Sequence, residues 1–303
     1  MSSALPRAGR QLLALMSRAD LRQLIPRWRD VVAAPAIPPD ATPAGPALPP
    51  ATPAEARAGW EDRLWGPGFT LPGGEAEALR LAQLLPLSPA TTLLLLGRDA
   101  GGAAQAIARQ SRAWLAVHQH DAVLAARMAP LLRPLGKRAA VQPWDPAAPV
   151  FRARFHHHAL ALEPLRAGAA PAPLAAALAA ALKPGGQLVL VDMVATAPRP
   201  GQGFDRWLAL EERTAPPPSQ GVVEAALVAA GFTLHVAESL GARQVAAATE
   251  AWLRLLAGMR ETGRPGGGVA AALVTEAETW LLRHRLVSAG AIAVLRWHAS
   301  LSG

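Results

Sequence analysis

Five histidines stand in two short segments, and histidine is the side chain best suited to proton transfer or metal binding at neutral pH. The run His156–His158 falls on a predicted strand, and His118 and His120 lie on a neighbouring segment, at the end of another predicted strand. Alternate residues of a strand share one face, so His156 and His158 can point the same way, as can His118 and His120. With Asp121, four such imidazoles could bind zinc or another transition metal. One imidazole could instead be a general base. The spacing matches no known ligand motif, and we expect no metal site.

Several other chemistries are excluded by the residues present. The chain has no cysteine, so it has no disulfide, thiolate metal site or cysteine nucleophile. No segment resembles a Ser–His–Asp triad, a Walker loop or a nucleotide-kinase signature.

The composition is that of a folded α/β protein. The 303 residues are 51% hydrophobic and 17% charged, which suits one large domain or two small ones. The net charge of +8 comes mainly from scattered arginines; Lys137 and Lys183 are the lysines. Because basic residues do not run together or alternate with aromatics, we expect no nucleic-acid partner. No stretch predicts a signal peptide or a membrane span, so a cytoplasmic location is expected.

The chain divides into an N-terminal arm and a folded domain. Residues 9–33 predict short amphipathic helices, and the proline-dense segment Ala34–Ala56 predicts an extended linker. We therefore assign residues 1–55 to a helical arm and linker, and residues 56–303 to the domain.

Within the domain, helical and strand patterns alternate, which predicts helices on both faces of a mostly parallel sheet. In such a sheet, ligands bind at the carboxyl ends of the strands. The predicted strands are Thr91–Gly97, Trp114–Gln119, Arg138–Gln142, Arg154–Leu162, Gly186–Val194, Phe232–Leu240 and Ala291–Ser300. The predicted helices are Glu75–Leu85, Ala103–Ser111, Ala122–Leu132, Leu174–Leu182, Val222–Ala230, Ala242–Met259 and Val269–Val287.

Two motifs make the chain resemble a known family. LKPGGQLVLVDMV, Leu182–Val194, with the strand, glycine loop and helix before it, resembles the class I S-adenosylmethionine-dependent methyltransferases. LWGPGFTLPGG, Leu64–Gly74, is similar to the bacterial branch near the phosphoethanolamine and sarcosine/dimethylglycine methyltransferases. The resemblance implies a Rossmann-like three-layer sandwich whose seven-stranded sheet has the order 3-2-1-4-5-7-6, with an antiparallel last strand.

The resemblance also implies where S-adenosylmethionine would bind. It places Gly97 and Gly101 in the glycine-rich loop, Gln119 at the ribose, Trp144 and Asp145 at the adenine, and Trp65 in a lid over the cofactor. PWDP, the segment that contains Trp144 and Asp145, could equally be a proline-bounded turn.

The glycine-rich motif is degenerate. Leu95 stands where the family has an acid, Asp99 where it has the middle glycine, and Gln119 where it has a ribose-binding carboxylate. The expected function is that of a divergent methyltransferase acting on a small molecule, with Trp207–Gln220 as part of the acceptor site. The alternative is a catalytically inactive member of the same fold that binds a partner. Neither a catalytic residue nor an oligomeric state is predicted.

Overall fold

The computed structural model describes residues 52–196, 201, 203–262 and 267–302. The predicted amphipathic helices and most of the proline-rich linker lie outside the described residues. Thr52 is the first residue described, and the first helix begins at Pro53, inside the predicted linker.

The described elements follow the predicted alternation of helix and strand. The helices are α1 Pro53–Trp65, α2 Gly74–Ala82, α3 Gly102–Ser111, α4 Ala122–Leu132, α5 Pro171–Ala181, α6 Phe204–Leu210, α7 Gln220–Ala229, α8 Gly241–Thr262 and α9 Gly267–Ser288. The strands are β1 Thr92–Gly97, β2 Trp114–His118, β3 Ala139–Gln142, β4 His156–Leu162, β5 Leu182–Ala195, β6 Phe232–Ser239 and β7 Ile292–Leu301. Two short 3₁₀ helices span Arg133–Arg138 and Pro164–Ala167.

The strands form one seven-stranded sheet in the order β3-β2-β1-β4-β5-β7-β6. Strand β7 runs antiparallel to β5 and β6, and the other neighbours are parallel. The predicted sheet, with its first strand at the centre, is confirmed. At the start of β5, His156 pairs with Leu182 and His158 with Gln187, so Lys183–Gly186 bulges from the ladder.

Buried leucines of β1 contribute to the hydrophobic cores on both faces of the sheet. Leu93 and Leu95 pack on the side covered by α2, α3, α4, α6 and α9. Leu94 and Leu96 pack on the side covered by α5 and α7. The two cores and the sheet between them make the three-layer sandwich, in which β1 is buried on both faces, as a central parallel strand must be.

Helix α1 was not predicted, although the sequence contains its start signal. Thr52 and Glu55 form a capping box: Glu55 N donates to Thr52 Oγ1, and Thr52 N donates to Glu55 Oε2. Trp60 anchors the helix because its indole N–H donates to the Val269 carbonyl of α9 at 2.8 Å. Helix α1 thereby packs on α8 and α9 and borders the carboxyl ends of the strands. In the part of the chain that the structure describes, no helix has the length and apolar character needed to span a membrane.

Candidate functional site

A cleft of about 190 Å³ opens at the carboxyl ends of β1, β2 and β4. Helix α1 forms one wall, and the segment after α6 forms another. The lining residues are Ala54, Arg57, Ala58, Glu61, Arg98, His120, Asp121, Val123, Leu124, Glu163, Arg166, Ala167, Glu211 and Glu212. Most of these side chains are charged, so the cleft favours a polar ligand.

Two positions of the loop after β1 require glycine, because each has a positive φ and a Cβ there would crowd neighbouring backbone atoms. Gly97 has φ 102°, and a Cβ there would lie 2.1 Å from the Leu162 carbonyl oxygen of β4. Gly101 has φ 105°, and its Cβ would lie 3.1 Å from Met128 Cα. The Gly68 carbonyl accepts the amide N–H groups of Ala100 (3.1 Å) and Gly102 (3.0 Å). Two backbone N–H groups of the loop therefore have a hydrogen-bond acceptor within the protein.

Asp99, in the position of the family's middle glycine, caps helix α3. Its Oδ1 accepts from Ala103 N at 3.0 Å, and its Oδ2 accepts from Ala104 N at 3.2 Å. Burial raises the pKa of Asp99 to about 6, against the opposing effect of these backbone donors. The carboxyl group thus holds the loop to α3 and does not line the cleft.

Gln119 is 2% exposed, and its side-chain amide forms hydrogen bonds with the same loop. Its Nε2 donates to the carbonyls of Gly97 (3.1 Å) and Asp99 (2.7 Å), and its Oε1 accepts from Asp121 N (3.0 Å). Asp121 lines the cleft instead. Its Oδ1 caps helix α4 by accepting from the amides of Val123 (2.7 Å) and Leu124 (3.1 Å), which leaves Oδ2 without a hydrogen bond among the described residues.

The PWDP segment places Trp144 behind the cleft and Asp145 outside it. Trp144 is 7% exposed and packs edge-on against His120, with 6.0 Å between ring centroids. Asp145 is exposed and closes a turn by accepting from Ala147 N at 2.9 Å. His120 itself lines the cleft, so Trp144 supports one of its walls.

Trp65 lies in the helical core on the other side of the loop. It is 5% exposed and meets Trp280 of α9 edge-on, at 4.9 Å between centroids. Phe69 covers Gly102, where a Cβ would lie 2.8 Å from the phenyl ring. Leu64–Gly74, which contains both aromatics, is therefore packed on the loop rather than raised above it.

An ion pair ties α1 to the loop after β1. Arg98 Nη2 donates to Glu61 Oε1, and both side chains line the cleft. Burial raises the pKa of Glu61, and the Arg98 guanidinium opposes this. Burial opposes the charge on Arg98 as well, but Glu61 and three more distant glutamates hold its pKa above the usual value. Each charge is thus stabilised mainly by the other.

A second charged cluster follows β4. Glu163, which is 1% exposed, accepts from Arg283 of α9 at 2.6 Å, and Arg283 also donates to Gln244 of α8 at 2.9 Å. Burial opposes the ionisation of Glu163, yet the Arg283 guanidinium keeps its pKa below the usual range. Glu211 is held ionised in the same way by Arg166 and Arg213, despite its burial.

Arg166 is the least compensated cation of the cleft. Its Nη1 lies 3.9 Å from Glu163 Oε2 and 3.6 Å from Glu211 Oε2, and within the described residues it makes no hydrogen bond. Burial, and then the charge of Arg98, lowers the pKa of Arg166 to about 9. A bound anion would relieve both effects.

The five histidines of the two segments do not come together in one site. His120 lines the cleft, whereas His118 packs on Phe151 with 4.9 Å between centroids. His157 Nδ1 accepts from Thr92 N at 3.0 Å, at the opposite end of β1. Within the described ranges, no three His, Asp or Glu side chains are close enough together to hold a metal ion.

Sequence reasoning named Asp121 and the segment Trp207–Gln220, which contains Glu211 and Glu212, but it missed four other cleft or cluster residues. Arg57 and Glu61 are on the unpredicted α1, and the third, Arg166, is on a 3₁₀ helix. The fourth, Arg283, is 120 residues from Glu163, and no local pattern connects them. The capping box at Thr52 could have found α1.

Comparison with solved structures identifies the fold. No family model and no curated sequence matches the chain. Phosphoethanolamine N-methyltransferase 2 of Haemonchus contortus superposes with a TM-score of 0.73 at 15% identity, over 83% of this chain and 58% of that one. A Galdieria sulphuraria protein assigned as a sarcosine dimethylglycine methyltransferase gives 0.61 at 15% identity, over 75% and 84%. Geranyl diphosphate C-methyltransferase of Streptomyces coelicolor gives 0.58 at 16%, over 74% and 78%.

The chain therefore has the class I S-adenosylmethionine-dependent methyltransferase fold, as its motifs indicated. It spans a little over half the length of the Haemonchus contortus enzyme. At these identities the likeness establishes the architecture, and the activity must be argued from the cleft.

Proposed function

We propose that the protein is a divergent class I methyltransferase that binds S-adenosylmethionine in the cleft and methylates a small molecule. The observation that carries the proposal is the position of the cleft, at the carboxyl ends of the central strands. Ligands of open α/β sheets bind at this edge.

The charges in the cleft suit the cofactor. S-adenosylmethionine carries a carboxylate, an ammonium group and a sulfonium ion. Arg166 is a cation without a hydrogen-bonded partner among the described residues, and it suits the carboxylate. The free Oδ2 of Asp121 suits a ribose hydroxyl, a role that the resemblance gave to Gln119. Val123 and Leu124 add apolar surface for the adenine.

The remaining residues predicted for the cofactor have supporting roles in this proposal. Gly97, Gly101 and Gln119 set the path of the loop, and Trp144 holds His120 in place. Trp65 fixes the segment that covers the loop. Asp145 is exposed, so it would contact the adenine only if the cofactor reached beyond the cleft.

The acceptor would enter beside the segment after α6. Glu211 and Glu212 bring that segment to the cleft, in line with its expected part in the acceptor site. When bound, the cofactor supplies a methyl group activated by the sulfonium sulfur. The protein's share is then mainly orientation and exclusion of water, which requires no strong base.

A second candidate function, a catalytically inactive binding module, is favoured by one set of contacts. Polar groups around the cleft already have partners within the chain. These contacts are the hydrogen bonds to Gly68 O, those donated by Gln119, and the Arg98–Glu61 ion pair. If the cofactor cannot displace or bypass these contacts, the cleft holds a different ligand or none.

Calorimetric titration with S-adenosylhomocysteine separates the two. For the methyltransferase we expect binding in the millimolar range or tighter, and transfer of labelled methyl from S-adenosylmethionine to an acceptor in a panel of small amines, phosphoalcohols and isoprenoid diphosphates. The Asp121→Asn variant keeps an N-cap but loses the carboxylate charge. It should lose about 1.5–3 kcal/mol of binding free energy, or roughly 10- to 150-fold in affinity.

The matched control is Asp205→Asn, which removes an exposed carboxylate of α6 outside the cleft and should leave the affinity unchanged. If saturating S-adenosylhomocysteine gives neither heat nor a thermal shift, the inactive binding module is the better description.

A further inference from the structure

A second cavity lies on the β2–β3 part of the sheet, away from the cleft. Trp114, Ala116 and His118 alternate along one face of β2, and Ala140 and Gln142 of β3 stand beside the latter two. Because two neighbouring positions are alanine, this face has a hollow of about 230 Å³, which we call the β2–β3 groove. It shares no lining residue with the cleft.

The walls of the groove are aromatic and its rim is cationic. Arg138 is held over the Trp114 ring, with 5.2 Å from Cζ to the ring centroid, and it donates to the Arg112 carbonyl at 2.7 Å. Arg152 stacks on the Phe155 ring at 3.8 Å. Lys137 adds a third positive charge. Among the described residues that line the groove none is a carboxylate, so its charge is not neutralised locally.

A buried imidazole in the wall has no partner. His156 is 1% exposed, and neither of its ring nitrogens has a hydrogen-bond partner in the described part of the chain. Burial, and then the charges of His118 and Arg152, lowers the pKa of His156 to about 4. A neutral imidazole carries one N–H in either tautomer. His156 therefore holds an unused donor, and His118 Nδ1, also buried, is likewise unpaired within the described residues.

We propose that the β2–β3 groove binds a small aromatic anion. The flat body would lie on the floor formed by Ala116 and Ala140, between the Trp114 and Phe155 rings. A sulfonate, carboxylate or phosphate group would be held at the rim, by charge-assisted hydrogen bonds from the two stacked guanidinium groups. The combination of a carbon-lined hollow, stacked arginines and an unpaired buried donor distinguishes it from a general basic surface.

The inference is independent of the methyltransferase proposal, since it involves neither the cleft nor its cofactor. The test is calorimetric titration with 1-naphthalenesulfonate and, separately, with the neutral 1-naphthalenesulfonamide. Both compounds have the same ring, so their comparison isolates the charge. We expect the sulfonate to bind about tenfold or more tightly than the sulfonamide.

Two variants and a control locate the site. Arg152→Gln removes a rim charge, and Ala140→Leu fills the floor; each should weaken sulfonate binding about tenfold or more. Arg109→Gln removes an exposed arginine of α3, outside the groove, and should leave binding unchanged. Because Ala140→Leu changes an edge strand, its thermal unfolding is measured first, and Lys137→Gln combined with Arg152→Gln replaces it if it does not fold.

The proposal is overturned if the wild-type protein does not bind the sulfonate or binds both compounds equally. It is also overturned if the groove variants bind as the Arg109→Gln control does. Titration with S-adenosylhomocysteine should give the same result in wild type and groove variants, whichever way the naphthalene experiment turns out.

Discussion

Gln119→Glu is the substitution that most sharply tests how the loop after β1 is held. The change is nearly isosteric and introduces the kind of residue that the resemblance expects at this position. In this structure, however, Gln119 Nε2 donates to two carbonyl oxygens, at 3.1 and 2.7 Å. A glutamate has no N–H to replace these bonds, and its carboxylate would face both carbonyls in a site that is 2% exposed.

The size of the effect follows from these contacts. Two hydrogen bonds are lost, at about 0.5–1.5 kcal/mol each, and a buried carbonyl left unpaired costs about 1–3 kcal/mol. We therefore expect Gln119→Glu to lower the free energy of unfolding by about 2–6 kcal/mol at neutral pH. Protonation restores one donor, so the folded state raises the pKa of the new carboxyl group. Stability should then be greatest below the unfolded pKa of about 4 and fall as pH rises through the folded pKa.

Urea unfolding at pH 5 and pH 8 measures this effect. The matched control is Gln110→Glu, which introduces the same charge at an exposed position of α3. If both variants unfold at the wild-type urea concentration at pH 8, Gln119 is not bound to the loop, and its amide is free to face a ligand.

Three further predictions concern the parts of the fold that carry the cleft. Arg283→Met leaves Glu163 buried beside β4 without its 2.6 Å partner, so urea unfolding should show a loss of about 3–5 kcal/mol in the free energy of unfolding. The control Arg254→Met breaks an exposed pair and should lose at most about 0.5 kcal/mol. Gly97→Ala puts a Cβ 2.1 Å from a carbonyl oxygen and should cost more than about 3 kcal/mol, while Gly290→Ala, at φ 66° with open space around it, should cost only about 1–2 kcal/mol by the same assay. Burial raises the pKa of Asp192 from 3.8 to about 7, so the folded state is favoured most below pH 4, where Asp192 is protonated, and its stability should fall progressively between about pH 4 and pH 7. Asp192→Asn should show a smaller fall in urea midpoint over that range, and an identical fall would contradict the assignment.

The framework of the fold was predictable because its signals are local. A short apolar run closed by glycine predicts a central strand, as Thr92–Gly97 proves to be. The order of the strands came from the resemblance, and the observed sheet confirms it. Helix α1 was missed because its apolar residues show little helical periodicity, although its capping box is legible at Thr52 and Glu55.

The site was predictable only as a region. That Gln119 faces the loop depends on where the carbonyls of Gly97 and Asp99 lie, which no sequence spacing specifies. The pairing of Glu163 with Arg283 depends on how α9 packs against β4. The cytoplasmic location and the division into residues 1–55 and 56–303 stay predictions.

The central claim is that the altered cleft still accepts an adenosyl cofactor, and a crystal structure grown with S-adenosylhomocysteine tests it most directly. We expect the ligand at the carboxyl ends of β1, β2 and β4, with a ribose hydroxyl bonded to Asp121 and the carboxylate beside Arg166. A structure at saturating ligand in which the Arg98–Glu61 pair still spans an empty cleft would contradict the claim.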